Sequence, residues 1–256
     1  MTTPDPEQRA RELAAAARSA GDATGWFERL YAAAEAGDMV VPWDRGSPHR
    51  LLVQWAEQRG ITGDGRRALV VGCGLGDDAE YIAGLGFSTV GFDISASAIR
   101  AARRRYPDSR VTYAVANLLD PPAEWHQAFD LVVESLTLQS LPDPPRRDAI
   151  AQVGGLVAPG GTLIVSARAR DEDDDPGEGP PWTLTRAEVD AIGASGLEPV
   201  RIEDIREPES RRWRAEYRRP GGPSRVTRGR ARRRGRRGPA TGCDSAEGRR
   251  PSRTGR

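Results

Sequence analysis

Between residues 67 and 165 the chain alternates short apolar runs with stretches whose apolar residues recur at helical spacing. The runs 68–71, 89–92, 111–115, 131–133 and 162–165 are rich in Val and Leu and nearly without charge, as expected of strands buried on both faces. Helical stretches near 77–85, 96–105 and 146–157 fall between most of them. This alternation predicts a doubly wound, mostly parallel sheet. Pro159-Gly160-Gly161 is read as the turn that delivers the last of these helices into the fifth strand.

Upstream, residues 7–20 are Ala- and Arg-rich and read as a helix. A second helix is expected over 24–36, where Trp26, Phe27, Leu30 and Tyr31 share one face. Residues 40–49 are broken by Pro and Gly and predict a loop. Ser47 followed by Pro48 reads as an N-cap with Pro at the first helical position, opening a helix to Arg59. Downstream, 170–181 is a polar loop, and Thr185-Arg186-Ala187-Glu188 matches a capping box. Strands at 198–205 and 211–218, joined through Pro208-Glu209-Ser210, predict an antiparallel hairpin at the sheet edge. The expected fold is therefore α/β and Rossmann-like, a seven-stranded, mostly parallel sheet with helices on both faces. Three regions follow: N-terminal helices and a lid over 1–60, a cofactor-binding core over 61–219, and an Arg-rich tail over 220–256. The tail has almost no apolar residues, so disorder is expected there.

Length and composition narrow the class. With 256 residues, 38% hydrophobic and 29% charged, the chain suits one decorated α/β domain. No apolar run approaches the ~20 residues that span a bilayer, and the first residues have neither a basic start nor an apolar core. A cytoplasmic protein without membrane attachment is expected. Cys73 and Cys243 are the two cysteines, and His49 and His126 the two histidines, so neither a disulfide framework nor a metal site is expected. The net charge of +1 is uneven. Residues 218–256 hold fourteen Arg against Asp244 and Glu247, a charge of +12 that leaves −11 for residues 1–217. Such a tail could hold nucleic acid electrostatically, but it carries no aromatic residue for base stacking, and nucleic acid is not the expected partner.

The candidate chemistry lies in Val71-Gly72-Cys73-Gly74-Leu75-Gly76-Asp77-Asp78, where an apolar run enters a glycine turn that opens a helix. A dinucleotide fingerprint would need glycine at 77. Asp77 and Asp78 instead place two carboxylates on the helix's first turn, where they repel a pyrophosphate and suit a cationic, phosphate-free cofactor such as S-adenosylmethionine.

Four blocks in this order resemble the class I S-adenosylmethionine-dependent methyltransferases: the glycine turn, Gly91-Phe92-Asp93-Ile94, Phe129-Asp130-Leu131-Val132-Val133-Glu134-Ser135, and Leu156-Val157-Ala158-Pro159-Gly160-Gly161. Trp43-Asp44-Arg45-Gly46-Ser47-Pro48 is similar to the Trp-Asp-x-Gly-x-Pro segment of the thiopurine, thiol and halide methyltransferase branch. Leu138-Gln139-Ser140-Leu141-Pro142 with Arg146-Arg147 resembles the same branch. Two departures stand out: Val70 occupies a position usually acidic, and the aromatic pair expected near 136–138 is missing.

The resemblance implies that Gly72, Cys73, Gly74, Gly76 and Asp77 face the cofactor's methionine end. It places Asp93, 21 positions after Gly72, and Ile94 at the ribose, and Asn117 and Leu118 at the adenine. Glu134 is expected either to bind the cofactor's ammonium group or to serve as a base toward the acceptor. Trp43 is expected to lid the sulfonium through a cation–π contact, or else to anchor its loop, and Asp44 to hold that loop. Cys73 is read as the small residue the turn needs. The expected activity is in-line methyl transfer to a small molecule, a thiol or similar soft nucleophile, by a monomer. The alternatives are a small-metabolite O- or N-methyltransferase and a nucleic-acid-binding protein that uses the tail.

Overall fold

The computed structural model describes residues 5–222. Three helices come first: α1 (Pro6–Ser19), α2 (Gly25–Glu35) and α3 (Arg50–Arg59). The alternating core follows as β1 (Arg67–Val71), α4 (Asp77–Gly84), β2 (Ser88–Asp93), α5 (Ala96–Arg105), β3 (Thr112–Val115), β4 (Phe129–Ser135), α6 (Pro145–Gly155) and β5 (Val157–Arg168). The chain then forms α7 (Arg186–Ala191), β6 (Glu198–Glu207) and β7 (Ser210–Arg218). Among the described residues the sheet has seven strands in the order β3-β2-β1-β4-β5-β7-β6. The first five run parallel, and β7 enters antiparallel between β5 and β6. The expected α/β architecture with its closing hairpin is what the chain adopts. The order of strands reverses between β1 and β4, and their carboxyl ends open the crevice in which such sheets bind ligands.

Both sheet faces are buried, so the strands could be continuously apolar. Leu69 and Val71, with Val132, Leu163 and Val165, point to one side, where Ile150 and Val153 of α6 and Val189 of α7 cover them. Ala68 and Val70, with Leu131, Val133 and Ile164, point to the other, against Trp55 of α3, Ile82 of α4 and Ile99 of α5. The two-residue period of the strand separates the two cores. A third cluster joins α1 to α2. Ala10, Ala14 and Ala17 put only methyl groups on one face of α1, which lets it lie close to Trp26, Leu30 and Tyr31.

Two local expectations are corrected. Helix α3 begins at Arg50 with His49 as its N-cap, not at Pro48. The His49 N–H donates to Asp78 Oδ1 at 2.6 Å, which holds residue 49 extended and delays the first helical turn. Pro159-Gly160-Gly161 is not the turn into β5 but a bulge inside it. Phe129 pairs with Val157 and Leu131 with Thr162, so residues 158–161 of β5 stand opposite the single residue Asp130 of β4. Gly160 takes the left-handed φ of +78° at this bulge, and Gly160 and Arg219 exchange N–H···O bonds across it through the Arg219 and Gly161 carbonyls, each 3.0 Å. The capping box of α7 is present, with Thr185 and Glu188 each bonding the other's backbone N–H. The disorder expected of the tail, and Cys243, lie outside the described residues.

Candidate active site

The glycine turn leaves β1 and runs beneath the N-terminal helices. Gly74 has φ +52°, and a Cβ on it would lie 2.7 Å from the Tyr31 hydroxyl. That hydroxyl accepts the Trp43 indole N–H at 2.8 Å, so glycine at 74 lets α2 and the Trp43 loop close onto the turn. Gly76 has φ +98° at the start of α4, and its Cβ would lie 2.3 Å from the Tyr113 hydroxyl, which donates to Glu80 at 2.7 Å. Gly76→Ala is therefore expected to destabilise the fold by about 1–3 kcal/mol through left-handed strain and the displaced tyrosine. A urea midpoint unchanged from wild type would refute this.

Asp93 ends β2 with its side chain buried. Its Oδ2 accepts the Gly74 N–H at 3.0 Å and its Oδ1 the Ser95 N–H at 2.9 Å. Burial pushes its pKa up to about 6 against the opposing pull of these amides. A carboxylate offers about four acceptor directions, so two remain for a ligand. Asp77 accepts the Tyr106 O–H at 2.6 Å and meets Arg105 at 3.1 Å. The same guanidinium grips both oxygens of Asp44, at 2.9 and 2.6 Å, and holds that carboxyl below its usual range. Arg105 thus latches the Trp43-Asp44 loop to α4 and α5, in line with the loop-holding role expected of Asp44. Asp78 has a raised pKa, chiefly through burial.

A cleft of about 240 Å³ opens at the carboxyl ends of β1, β2 and β4. Trp43, Gly72, Cys73, Gly74, Asp77, Asp93, Ile94, Asn117 and Leu118 all line it. Gly76 and Glu134 do not. Glu134 is fully buried behind the wall, where its Oε1 accepts the N–H groups of Thr137 and Leu138 at 2.7 and 2.9 Å. Its Oε2 is buried with no partner among the described residues, and burial pushes its pKa up to about 7. The Thr137 hydroxyl in turn donates to the Val71 carbonyl at 3.2 Å, so Glu134 braces the wall beside Gly72. Cys73 is buried, and burial keeps its thiol protonated well above the usual range.

Several lining residues carried no usable signal in the sequence. Glu7, Ala10 and Tyr31 close the cleft from α1 and α2, and Arg168 and Arg212 enter from β5 and β7. Glu28 holds α2 to the N-terminus of α5, accepting from the hydroxyls of Ser95 and Ser97 at 2.6 Å each and from the Ser97 N–H at 3.1 Å. A carboxylate at that pole complements the helix dipole. Its serines lie 67 and 69 positions away, beyond any local pattern.

Residues 68–161 match the family model described as a methyltransferase domain. A ubiquinone biosynthesis O-methyltransferase of Thiobacillus denitrificans is 32% identical over 138 residues, 50% of this chain and 58% of that protein. The chain thus spans little more than half the length of this relative. A probable thiol methyltransferase 2 of Arabidopsis thaliana is 29% identical over 201 residues, 77% of this chain and 84% of its own length. Among solved structures, the N-methyltransferase NodS of Bradyrhizobium japonicum in complex with S-adenosyl-L-homocysteine superposes with a TM-score of 0.55 at 22% identity, over 70% of this chain and 92% of that one. S-adenosylmethionine is the cofactor expected from the glycine turn and the carboxylates that follow it. The cleft fits it: Asp77, Asp78 and Asp93 supply negative charge without phosphate ligands, and Asp93 has acceptor capacity to spare beside a glycine backbone. Among the described residues no cluster of His, Cys, Asp and Glu could hold a metal, and no helix is long and apolar enough to cross a membrane.

Proposed function

We propose that the chain is an S-adenosylmethionine-dependent methyltransferase that acts on a small molecule through a thiol or similarly soft nucleophile. The observation that carries the reading is that the one histidine lining the cleft, among the described residues, is a poor base and that the acidic side chains there are already tied to backbone amides or guanidinium groups. His49 is buried, and burial reinforced by Arg212, Arg45 and Arg50 pulls its pKa down to about 4, which makes it a weak base. Asp93 and Asp78 are already engaged by backbone amides, and Glu134 sits behind the wall. A thiol is partly ionised near neutral pH and needs little help from a base, whereas a hydroxyl or amine needs one.

When bound, S-adenosylmethionine supplies an electrophilic methyl carbon on a sulfonium that leaves with the electron pair of the broken carbon–sulfur bond. The chain's part is to orient and to exclude water. In this reading Asp93 and Ile94 hold the ribose, Asn117 and Leu118 flank the adenine, Trp43 lids the reacting end, and Glu134 is a positioning residue for the 136–140 turn. Residues 1–60 serve as the lid. The similarity to the Arabidopsis protein and to a thiocyanate methyltransferase 1 of Brassica oleracea, 29% identical over 171 residues, supports the soft-nucleophile branch. The Thiobacillus relative favours O-methylation as the second reading.

Transfer of a labelled methyl group to separate pools of thiols, halides, phenols, amines and bulk RNA tests this. Label is expected in the thiol or halide pool, with a rate that follows ionisation of the acceptor thiol. Label confined to phenols would establish the second reading instead. Label in RNA that disappears on removal of residues 223–256 would favour the nucleic-acid role of the tail.

A further inference from the structure

The cleft is divided by charge. Asp77, Asp78 and Asp93 line the cleft from the start of α4 and the end of β2, with Asp44 of the loop before α3 tied to Asp77 through Arg105, whereas Arg168 and Arg212 line it from β5 and β7. These two arginines are register partners on neighbouring antiparallel strands. Like charges placed directly opposite repel. Arg45, from the loop before α3, lines the same cleft.

Arg212 is 8% exposed, and its Nη1 is buried without a hydrogen-bond acceptor. It forms no salt bridge among the described residues. Burial pulls its pKa down, and Arg168, Arg45 and Arg50 pull it further, with Glu207 alone opposing them. Glu207 is itself bound to Arg50 and Ser210. Among the described residues Arg168 meets one carboxylate, Glu7, at a long 3.4 Å. A buried guanidinium without a partner is costly unless a ligand completes it, and a planar fork of N–H donors is matched by an anion.

We infer that Arg168 and Arg212, with Arg45, form an anion subsite, and that the methyl acceptor enters the cleft as an anion. The inference deepens the methyltransferase reading and rests on it. Where the charge sits on the nucleophile itself, it also removes the need for a base. An anionic nucleophile attacking a sulfonium yields two neutral products, and no proton has to leave. Glu7 occupies the subsite in the acceptor's absence, so acceptor binding displaces it from Arg168.

The charge could lie on the nucleophile itself or on a carboxylate elsewhere in the acceptor. Calorimetric titration of the full chain, with and without S-adenosylhomocysteine, with thiocyanate, 3-mercaptobenzoate and methyl 3-mercaptobenzoate separates these sources. At least tenfold preference for the mercaptobenzoate over its ester supports a carboxylate subsite. Thiocyanate binding without that preference supports an anionic nucleophile. Arg212→Gln is expected to weaken the preferred anion at least tenfold while leaving S-adenosylhomocysteine affinity within twofold. Arg168→Gln, at a half-buried position, provides the same test if the first variant folds poorly. The Arg-rich tail is common to all three proteins and cancels in the comparison. Anion affinity unchanged in both variants, or a wild type that neither binds thiocyanate nor prefers the mercaptobenzoate to its ester, overturns the inference. Loss of S-adenosylhomocysteine binding by the wild type would instead strike the methyltransferase reading, and the anion titration would still be read without it.

Discussion

Asp93→Ala is expected to weaken S-adenosylhomocysteine binding by at least a hundredfold. Hydrogen bonds to an ionised group contribute about 1.5–3 kcal/mol each, and in the proposed function the cofactor's ribose offers two hydroxyls to this one carboxylate, so about 3–6 kcal/mol is at stake, equivalent to more than two decades in Kd. The truncation also strips the Gly74 and Ser95 amides of their acceptor, which loosens the glycine turn before any ligand arrives. Asp93→Asn separates the two effects. It keeps one acceptor oxygen and similar volume but loses the charge, and an intermediate loss of about tenfold is expected. Isothermal titration reads both variants. An alanine variant that still binds within threefold of wild type would place the ribose elsewhere.

The second large effect concerns Glu134. Its pKa in the folded chain, about 7, lies above the ordinary 4.5, because burial outweighs the Thr137 and Leu138 amides. The folded state therefore holds this proton more tightly than the unfolded state. Glu134's contribution to stability is fully present below about pH 4.5 and is lost as pH rises through about 7. Glutamine mimics the protonated acid and keeps an oxygen for both amides. Glu134→Gln is expected to match wild type below pH 4.5 and to exceed it above pH 7 by about 3 kcal/mol, the equivalent of the pKa difference. His49 acts in the opposite sense. Its depressed pKa of about 4 removes stability as pH falls from 6.5, so the wild-type profile alone is a sum of opposed trends, and the difference between variants isolates Glu134. Melting temperatures that stay parallel from pH 5 to 8 would overturn the assignment. Methyl transfer by the glutamine variant within about threefold of wild type would support a positioning role, and its loss would restore Glu134 as a base or ammonium ligand.

Much of this was legible in the chain. The glycine turn, Asp93 at the end of β2 and the capping box at Thr185 are local features. Each depends on residues within a few positions, and backbone geometry alone dictates their shape. The five parallel strands were legible for a related reason. Burial on both faces demands an unbroken apolar run, which survives in sequence whatever the packing partners are. Boundaries fared less well where a distant group intervened. Ser47-Pro48 has the local form of a helix start, yet the Asp78 carboxylate, 29 positions on, takes the His49 N–H and moves the start of α3 to Arg50. Pro159-Gly160-Gly161 has the form of a turn, yet β4 and the residue after β7 pair on either side of it and make it a bulge.

By itself the sequence determined the class of fold, the glycine turn after β1 and the acid that ends β2, because those are set by short-range backbone geometry and by the burial that each strand requires. The tertiary structure alone decided that Glu134 lies behind the cleft wall rather than in it, that Arg105 ties Asp44 to Asp77, and that Arg168 faces Arg212 across two strands with no carboxylate adequate to both. Such charge relations join residues tens of positions apart, and an arginine written in a sequence looks the same whether water or a cleft surrounds it. Only folding removes the water and leaves the charge in need of a partner.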